Sequence, residues 1–256
     1  MTTQSPIFAR PHASDGAASD PSFSESVSQL LNRIDYRFVD GNEEREAIFR
    51  LRYQAYLREG GILPNESCSF SDSYDRESNA FLFGVYLEDE LAGSVRIHLV
   101  TKDHPDCPSF EAFADMLQPE LDADKTIIDT TRFVTDENLS RLHRGLPYAV
   151  LRVSWLAGGY FGADYCLAAV RAEHQAFYRR NFQHRLLCEP RAYPGLARPL
   201  SLMSTHYPSV AEKVHRRLPF YRSTAFERRM LFERPQPRFA QARSTGRLLE
   251  GAKSVA

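Results

Sequence analysis

Apolar and polar residues change period repeatedly along the chain, and each change marks an element. Residues 34–40 alternate with the period of two of a short strand. Over 42–59 the apolar spacing lengthens to three and four, which puts Ile48, Leu51, Ala55 and Tyr56 on one stripe of a helix. Two apolar runs, 81–87 and 91–100, flank a short polar link and predict a hairpin; its second strand, LAGSVRIHLV, carries the stronger signal. A strand over 126–134 follows. An apolar helix over 146–161 ends near Gly158, Gly159 and Gly162, and is followed by a buried strand at 165–170, a helix at 173–180 and a strand at 185–188. Strand, helix, hairpin and then alternating strands and helices is the order of an α/β (α+β) layered domain around a mixed sheet.

The chain has 256 residues, 43% of them hydrophobic and 25% charged, which suffices for one large domain. Residues 1–25 are rich in Ser, Ala, Pro and Asp and poor in large apolar side chains, so 1–29 reads as a disordered arm. Residues 234–256 read as a disordered basic tail, leaving 30–233 as the folded domain, without internal repeats. The longest apolar stretch, 163–170, is broken by Asp164 and falls far short of the roughly 20 residues a membrane span needs. The first residues lack the apolar core of a secretory signal. Cys68, Cys107, Cys166 and Cys188 show neither disulfide nor zinc-site spacing. The expectation is a soluble cytoplasmic protein without a metal.

The formal net charge of −1 hides a segregation that changes this picture. Residues 171–256 hold 17 Lys and Arg against 6 Asp and Glu, while the remainder holds 15 against 27. Such a split steers a charged partner or simply solvates one face. Arg supplies 28 of the 32 basic residues, and its planar fork suits carboxylates and phosphates. No nucleic-acid-binding motif accompanies the basic half.

Four places break the apolar pattern. Arg52 lies four residues after Ile48 and four before Tyr56, beside the helix stripe, where a guanidinium needs a partner; Asp72 and Asp75 in SDSYDRESN are candidates, as an ordinary ion pair or as part of a cleft. In GSVRIHLV, Arg96 and His98 share the strand face opposite Val95, Ile97 and Leu99, which a half-exposed sheet would also explain. In IIDTTRFV, a period of two puts Asp129 and Arg132 on opposite faces unless the strand bulges between them. In AEHQAFYRRNF, Phe177 and Phe182 read as core anchors, Tyr178 and the Arg179–Arg180 pair can face a cleft, and His174 reads as a hydrogen-bonding residue. HExxH, glycine-rich phosphate loops, nucleophile elbows and metal-ligand clusters are all absent, so Ser, Cys and metal chemistry are poor candidates.

The run LRYQAYLREGG, Asp72 to Asp75 as D-S-Y-D, LAGSVRIHL and IIDTTRFV resembles, in order and spacing over about 36–135, the autoinducer-synthase branch of the GNAT acyltransferases. REGGIL after the first helix, CLAAVRAEHQAFYRRNF and PRAYPGLARPLSLM bring the closer resemblance to the N-acyl amino acid synthases of that branch, over roughly 36–205. Homoserine-lactone synthases usually have a Trp shortly after the first helix and Glu at the position of Asp129. The Gly60-Gly61-Ile62 run and Asp129 therefore count against an S-adenosylmethionine acceptor.

The resemblance implies a GNAT-like fold, a twisted mixed sheet with splayed central strands and helices on both faces. It also implies transfer of a fatty acyl group from acyl carrier protein to the amine of an amino acid, with no permanently bound cofactor; acyl-CoA is the secondary donor. The glycine-rich loop that holds the CoA pyrophosphate in acetyl-CoA enzymes is missing from TDENLSRLHRGLPYAV. The implied cleft is made of Arg52, Asp72, Asp75, Arg96, Asp129 and Arg132, with Tyr56 beside them. Asp129 is the candidate base, direct or through water, with Arg132 able to hold it ionised instead. A bulge amide would meet the oxyanion, and Tyr178 resembles the general acid position. Arg52 and Arg96 would organise the acceptor's carboxylate together with Asp72 and Asp75. Arg179, Arg180, Arg185, Arg216 and Arg217 are the candidates for docking an acidic carrier protein. A homoserine-lactone synthase, an acetyl-CoA-dependent N-acetyltransferase and a non-catalytic carrier-protein-binding domain remain the alternatives.

Overall fold

The hairpin expected at 81–100 forms two adjacent strands near one side of a seven-stranded sheet. A computed structural model describes residues 21–233. Its strands are β1 (Ile34–Phe38), β2 (Ala80–Leu87), β3 (Glu90–Val100), β4 (Ile127–Thr135), β5 (Tyr165–Val170), β6 (Arg185–Leu186) and β7 (Ser201–His206), in the sheet order β1-β2-β3-β4-β5-β7-β6. Every neighbouring pair is antiparallel except β4 and β5. The helices are α1 (Pro21–Leu31), α2 (Asn42–Arg58), α3 (Pro108–Asp122), α4 (Glu137–Leu142), α5 (Leu146–Phe161), α6 (Ala172–Phe182), α7 (Tyr207–Arg217) and α8 (Ala225–Phe232).

Alternation along β3 and β4 divides the core. Val95, Ile97 and Ile128 face α5, whose Leu146, Val150 and Val153 complete that layer. The approach is close: a Cβ on Gly93 would lie 2.7 Å from Val150 Cγ2 and 2.8 Å from the Val134 carbonyl oxygen, so only glycine fits there. The opposite face is covered by α2, through Leu51 and Ala55 against Val134, and by α3, through Phe113, Leu117 and Leu121 against Val100, Ile127 and Leu167. On this second face Arg96 and His98 lie directly across from Thr131 and Asp129, and all four are buried. The polar face of GSVRIHLV is thus interior, not half-exposed.

The parallel pairing of β4 with β5 runs from Ile127↔Tyr165 to Thr130↔Ala168 and stops, although both strands continue. The sheet is therefore split at its centre, as the family resemblance implied.

The disordered arm expected through residue 29 is corrected over 21–29. These residues belong to α1, because Val27 and Leu30 are apolar at helical spacing and bury against α5, and Phe23 meets Tyr148 edge-on at 5.1 Å. Residues 1–20 and the expected tail at 234–256 lie outside the described residues. The strand expected at 185–188 shortens to β6. Unanticipated elements are α3, α4, β7, α7 and α8. In α3, Pro119 and a non-helical Phe113 (φ −137°, ψ 32°) interrupt the periodicity, and β7 reads as polar because Ser201 and Thr205 are buried in it. Among the described residues no helix is long and apolar enough to cross a membrane.

Candidate active site

Residues 72–76 supply the two carboxylates around which the site is built. A 3-10 turn, Ser73–Arg76, follows Asp72, and Asp75 Oδ2 accepts the Asp72 backbone N–H at 3.0 Å, so the turn fixes one carboxylate against the other. Arg52 of α2 donates from Nη1 to Asp75 Oδ1 at 2.8 Å, and Arg96 Nη1 lies 2.9 Å from the same oxygen. Asp72 also receives both terminal nitrogens of Arg96, and its Oδ2 accepts Arg132 Nε at 2.9 Å and Nη2 at 2.6 Å. Arg96 Nε donates to Thr131 Oγ1 at 3.0 Å. Arg52, Arg96 and Arg132 with the buried Asp75 and the half-buried Asp72 thus form one ionic network.

A bulge brings Arg132 into this network. Between Ser94↔Val134 and Arg96↔Thr131, β4 contains one residue more than β3, and Arg132 has φ 51°. In a regular strand its side chain would point away from Asp129 and Thr131; the extra residue turns it back to their face. A left-handed non-glycine residue costs of order 1–2 kcal/mol, and the three charge-assisted bonds of Arg132 offset that strain. The third is Nη2 to the Pro194 carbonyl at 3.0 Å. Its guanidinium carbon also lies 4.6 Å from the Phe70 ring centroid and 5.8 Å from that of Tyr56. Among the described residues no hydrogen bond engages Arg132 Nη1.

Burial pushes the Asp72 and Asp75 carboxyls upward, but the bonds and charges of the surrounding guanidinium groups outweigh it and hold both below the ordinary carboxylate range. Burial, with repulsion from Arg96 and Arg132, lowers Arg52 to about 10, so it still carries its proton at neutral pH. Three guanidinium groups against two carboxylates leave the network one positive charge in excess.

The split between β4 and β5 opens into a cavity of about 120 Å³. Its walls are Thr130 to Val134 of β4, Ala169 and Val170 of β5, Tyr56 and Glu59 near the end of α2, His174 and Tyr178 of α6, and Tyr193, Leu196, Arg198 and Leu200 ahead of β7. Of the residues expected in a cleft, Tyr56, Arg132 and Tyr178 line this cavity. Arg52, Asp72, Asp75 and Arg96 stand behind Arg132, paired with one another. Tyr178 is buried, and that burial raises its hydroxyl well above the ordinary range, so it remains a phenol.

Asp129 is neither in the cavity wall nor paired with Arg132, which corrects the expectation of a carboxylate facing the cleft. It is fully buried against the start of α3, where its Oδ1 accepts Ser109 Oγ at 2.7 Å. Position along β4 explains this: Asp129 lies where β4 is still paired with β5 and covered by α3, whereas Arg132 lies at the bulge and is drawn to Asp72. Ser109 Oγ lies 3.1 Å from Tyr193 Oη, so a hydrogen-bonded chain leads from Asp129 to the cavity wall. Burial raises the Asp129 carboxyl; hydrogen bonds from Ser109 and Cys107 and the charge of Arg96 offset it only partly.

Sequence reasoning missed Ser109 and Tyr193, and also an ion pair at the far wall. There Arg171 Nη2 meets Glu59 Oε2 at 2.9 Å, its Nη1 donates to the Glu59 carbonyl at 3.2 Å, and His174 Nε2 lies 3.1 Å from Nη2. Burial and the Arg171 charge lower His174 to about 4, so it is a neutral acceptor there. The contact joins α2 to the β5–α6 junction across the split. Among the described residues no His, Cys, Asp or Glu cluster is arranged to hold a metal ion.

A family model for the N-acyl amino acid synthase FeeM matches residues 47–206. Among solved structures, FeeM, an N-acyl amino acid synthase from uncultured soil microbes, superposes with a TM-score of 0.60 at 16% identity over 73% of this chain and 98% of that one. TofI, solved in a ternary complex with an inhibitor and MTA, gives 0.52 at 16% identity over 68% and 91%. No curated protein sequence matches the chain. The superpositions establish a GNAT-like acyltransferase fold.

Proposed function

We propose, for a chain that belongs to the N-acyl amino acid synthase family of acyltransferases, that it moves a fatty acyl group from the thioester of acyl carrier protein to the amine of an amino acid. The observation that carries this reading is the cavity in the β4–β5 split, where Arg132, Tyr178 and Tyr193 converge beside strand backbone no longer paired to β5. A thioester entering the split lies along Thr131 to Phe133, whose backbone amides can meet the oxyanion. Arg132, with Nη1 unused and the network's excess positive charge behind it, suits the acceptor's carboxylate. Attack forms the C–N bond, collapse of the tetrahedral intermediate breaks the C–S bond, and the departing thiolate takes a proton from Tyr178.

Two features support a carrier protein over CoA as donor. The N-terminus of α4, the first helix after β4, is closed by Asp136, whose side chain accepts Leu139 N–H at 2.9 Å, with Glu137 in its first turn. An anionic pyrophosphate gains nothing from a helix end already capped by carboxylates. The start of α5 is covered too, since a Cβ on Gly145 would meet Val27 Cγ2 of α1 at 2.9 Å. The second feature is a basic surface continuous with the cavity. Helix α6 lines the cavity through His174 and Tyr178 and exposes Arg179 and Arg180 at its end. Arg217 of α7 donates to the Arg180 carbonyl, and Arg185 and Arg216 are exposed, as are Leu186 and Leu187. Basic side chains around exposed leucines suit an acidic helical carrier.

The test is mass spectrometry of organic extracts from bacteria expressing the chain or its Arg132→Ala variant, followed by reconstitution with matched acyl-carrier and acyl-CoA thioesters. An N-acyl amino acid made by the wild type alone, and faster from the carrier thioester, is the expected result. An acylated homoserine lactone, or a preference for CoA, would replace this reading with one of its alternatives.

A further inference from the structure

We infer that Tyr193 is a catalytic residue, the cavity-facing end of a proton wire that runs through Ser109 to Asp129 and takes up the proton the acceptor's ammonium must lose before it attacks. The inference rests on the acyl-to-amine reaction proposed above. The polarity of the chain follows from counting hydrogens. Ser109 has one hydroxyl hydrogen, which it gives to Asp129 Oδ1 at 2.7 Å. At 3.1 Å its oxygen is then the acceptor for Tyr193, whose own single hydrogen points inward. Tyr193 therefore presents lone pairs, not a proton, to a ligand in the cavity it lines. An acceptor of this kind suits an ammonium group.

The rest of the surroundings favour the same direction of transfer. Asp129 has only the Ser109 hydroxyl and the weak thiol donor of Cys107, with no strong donor on Oδ2, whereas Asp72 and Asp75 accept charged donors. Burial raises its proton affinity, which suits a terminal acceptor. Tyr193 is itself buried and held above its ordinary range, first by burial and then by the Asp129 charge, so it passes protons as a phenol and does not store charge. Arg132 Nη2, bonded to the Pro194 carbonyl, holds the segment that carries Tyr193.

The protons balance. The ammonium gives one hydrogen to Tyr193 Oη as Tyr193 gives its own to Ser109 Oγ and Ser109 gives its own to Asp129 Oδ1. The free amine then attacks, the C–N bond forms and the C–S bond breaks. A second nitrogen proton compensates the one taken by the departing thiolate, and the third remains on the amide. Asp129 returns its proton along the same path once product has left. Tyr193 meets the substrate; Ser109 and Asp129 act through it as positioning residues.

Tyr193→Phe tests the inference because the ring, packed 6.2 Å from Phe113, is kept while the oxygen is lost. Purified full-length variants are assayed with saturated acyl thioesters of carrier protein and the proteinogenic amino acids. For Tyr193→Phe, kcat should fall about 10²-fold or more at neutral pH, the scale of general base catalysis, with KM for the amino acid little changed. The deficit should shrink as pH approaches the amine's own pKa, since the amine then arrives deprotonated. Ser109→Ala, which does not touch the cavity, should show the same pH signature; a merely structural role would lower activity at every pH alike. Wild-type product formation with an unaltered kcat and pH profile in either variant would overturn the wire alone. A folded wild type that acylates no amino acid from any of these thioesters would overturn the proposed reaction and the wire with it.

Discussion

On the α2 side of β4, three guanidinium groups surround two carboxylates, each acidic side chain accepts several charged donors, and both titrate below the ordinary range. On the α3 side of the same strand a single carboxylate has one hydroxyl bond, a weak thiol donor and a raised pKa. Both regions are buried, so burial alone does not distinguish them. The difference lies in what touches each carboxylate: guanidinium groups in one case, a neutral hydroxyl and a thiol in the other, where the Arg96 charge acts without forming an ion pair. Charge compensation removes a group from acid–base work and makes it a rigid support; its absence leaves a group able to take a proton. On the proposed reading one strand divides the labour, orienting the substrate through Arg132 and moving protons through Asp129.

The largest effect should come from breaking the support. Arg96 is fully buried and touches both carboxylates. Arg96→Ala removes the one guanidinium that bridges the two carboxylates and leaves their buried oxygens and Thr131 without its donors, and a loss of about 3–5 kcal/mol in urea unfolding is expected. A loss under about 1 kcal/mol, the range of a surface pair, would show that the network is not a rigid support. Next comes Arg132→Lys, which keeps the charge but not the fork that reaches Asp72 and Pro194 together. Steady-state kinetics should show turnover falling about 10²-fold, the scale of one electrostatic contact to a transition state, with a much smaller stability change than Arg96→Ala. Equal losses of stability in the two variants would erase the distinction between support and working group.

Most of the charged site was legible in the sequence because charges on apolar stripes are conspicuous. Arg52 beside Ile48 and Tyr56 needed a partner, and Asp75 provides it. Arg96 on an alternating strand and the parity conflict between Asp129 and Arg132 led to the network and the bulge. The conflict did not reveal which of the two residues would leave the regular face, so Asp129 was expected in the cleft. Tyr193 and Ser109 were invisible for a different reason. They are neutral hydroxyl side chains, one in the aperiodic PRAYPGLARP segment and one at the start of a helix that Pro119 obscured. Their meaning comes only from a tertiary contact over 84 residues of chain. Similarly, β1 to β5, α2 and α5 follow from periodicity, whereas β7 hides because its buried Ser201 and Thr205 read as surface.

The pH dependence of stability should set the two regions apart. Asp72 and Asp75, lowered in the fold, contribute stability that is present above the unfolded value of about 3.9 and lost as pH falls through their folded values. Asp129, raised in the fold, does the reverse: its contribution is complete below about 3.9 and is lost as pH rises through its folded value. Asp129→Asn should therefore gain stability relative to wild type as pH rises above about 4 in urea titrations. A difference independent of pH would mean that Asp129 titrates normally and has no special proton affinity. Reversing Arg179 and Arg180 to Glu should act on neither region. It should raise KM for acyl carrier protein up to about tenfold and flatten its salt dependence, with kcat preserved. An unchanged KM would move docking away from α6.

The smallest expected effect probes the seam between the two regions. Gly195 has φ +72°, and a Cβ there would lie 3.0 Å from Arg132 Nη2. Gly195→Ala strains a left-handed position and crowds the contact that fixes both Arg132 and the Tyr193 segment. The backbone term alone is about 1 kcal/mol, which a shift in urea midpoint would measure. Because the nearest neighbours of the added methyl are Arg132 and Phe70, kcat should fall severalfold while its pH profile keeps the wild-type shape. If the profile instead moved toward that of Tyr193→Phe, the two regions would be coupled through residues 193–195, and the division of labour along β4 would be a single cooperative unit.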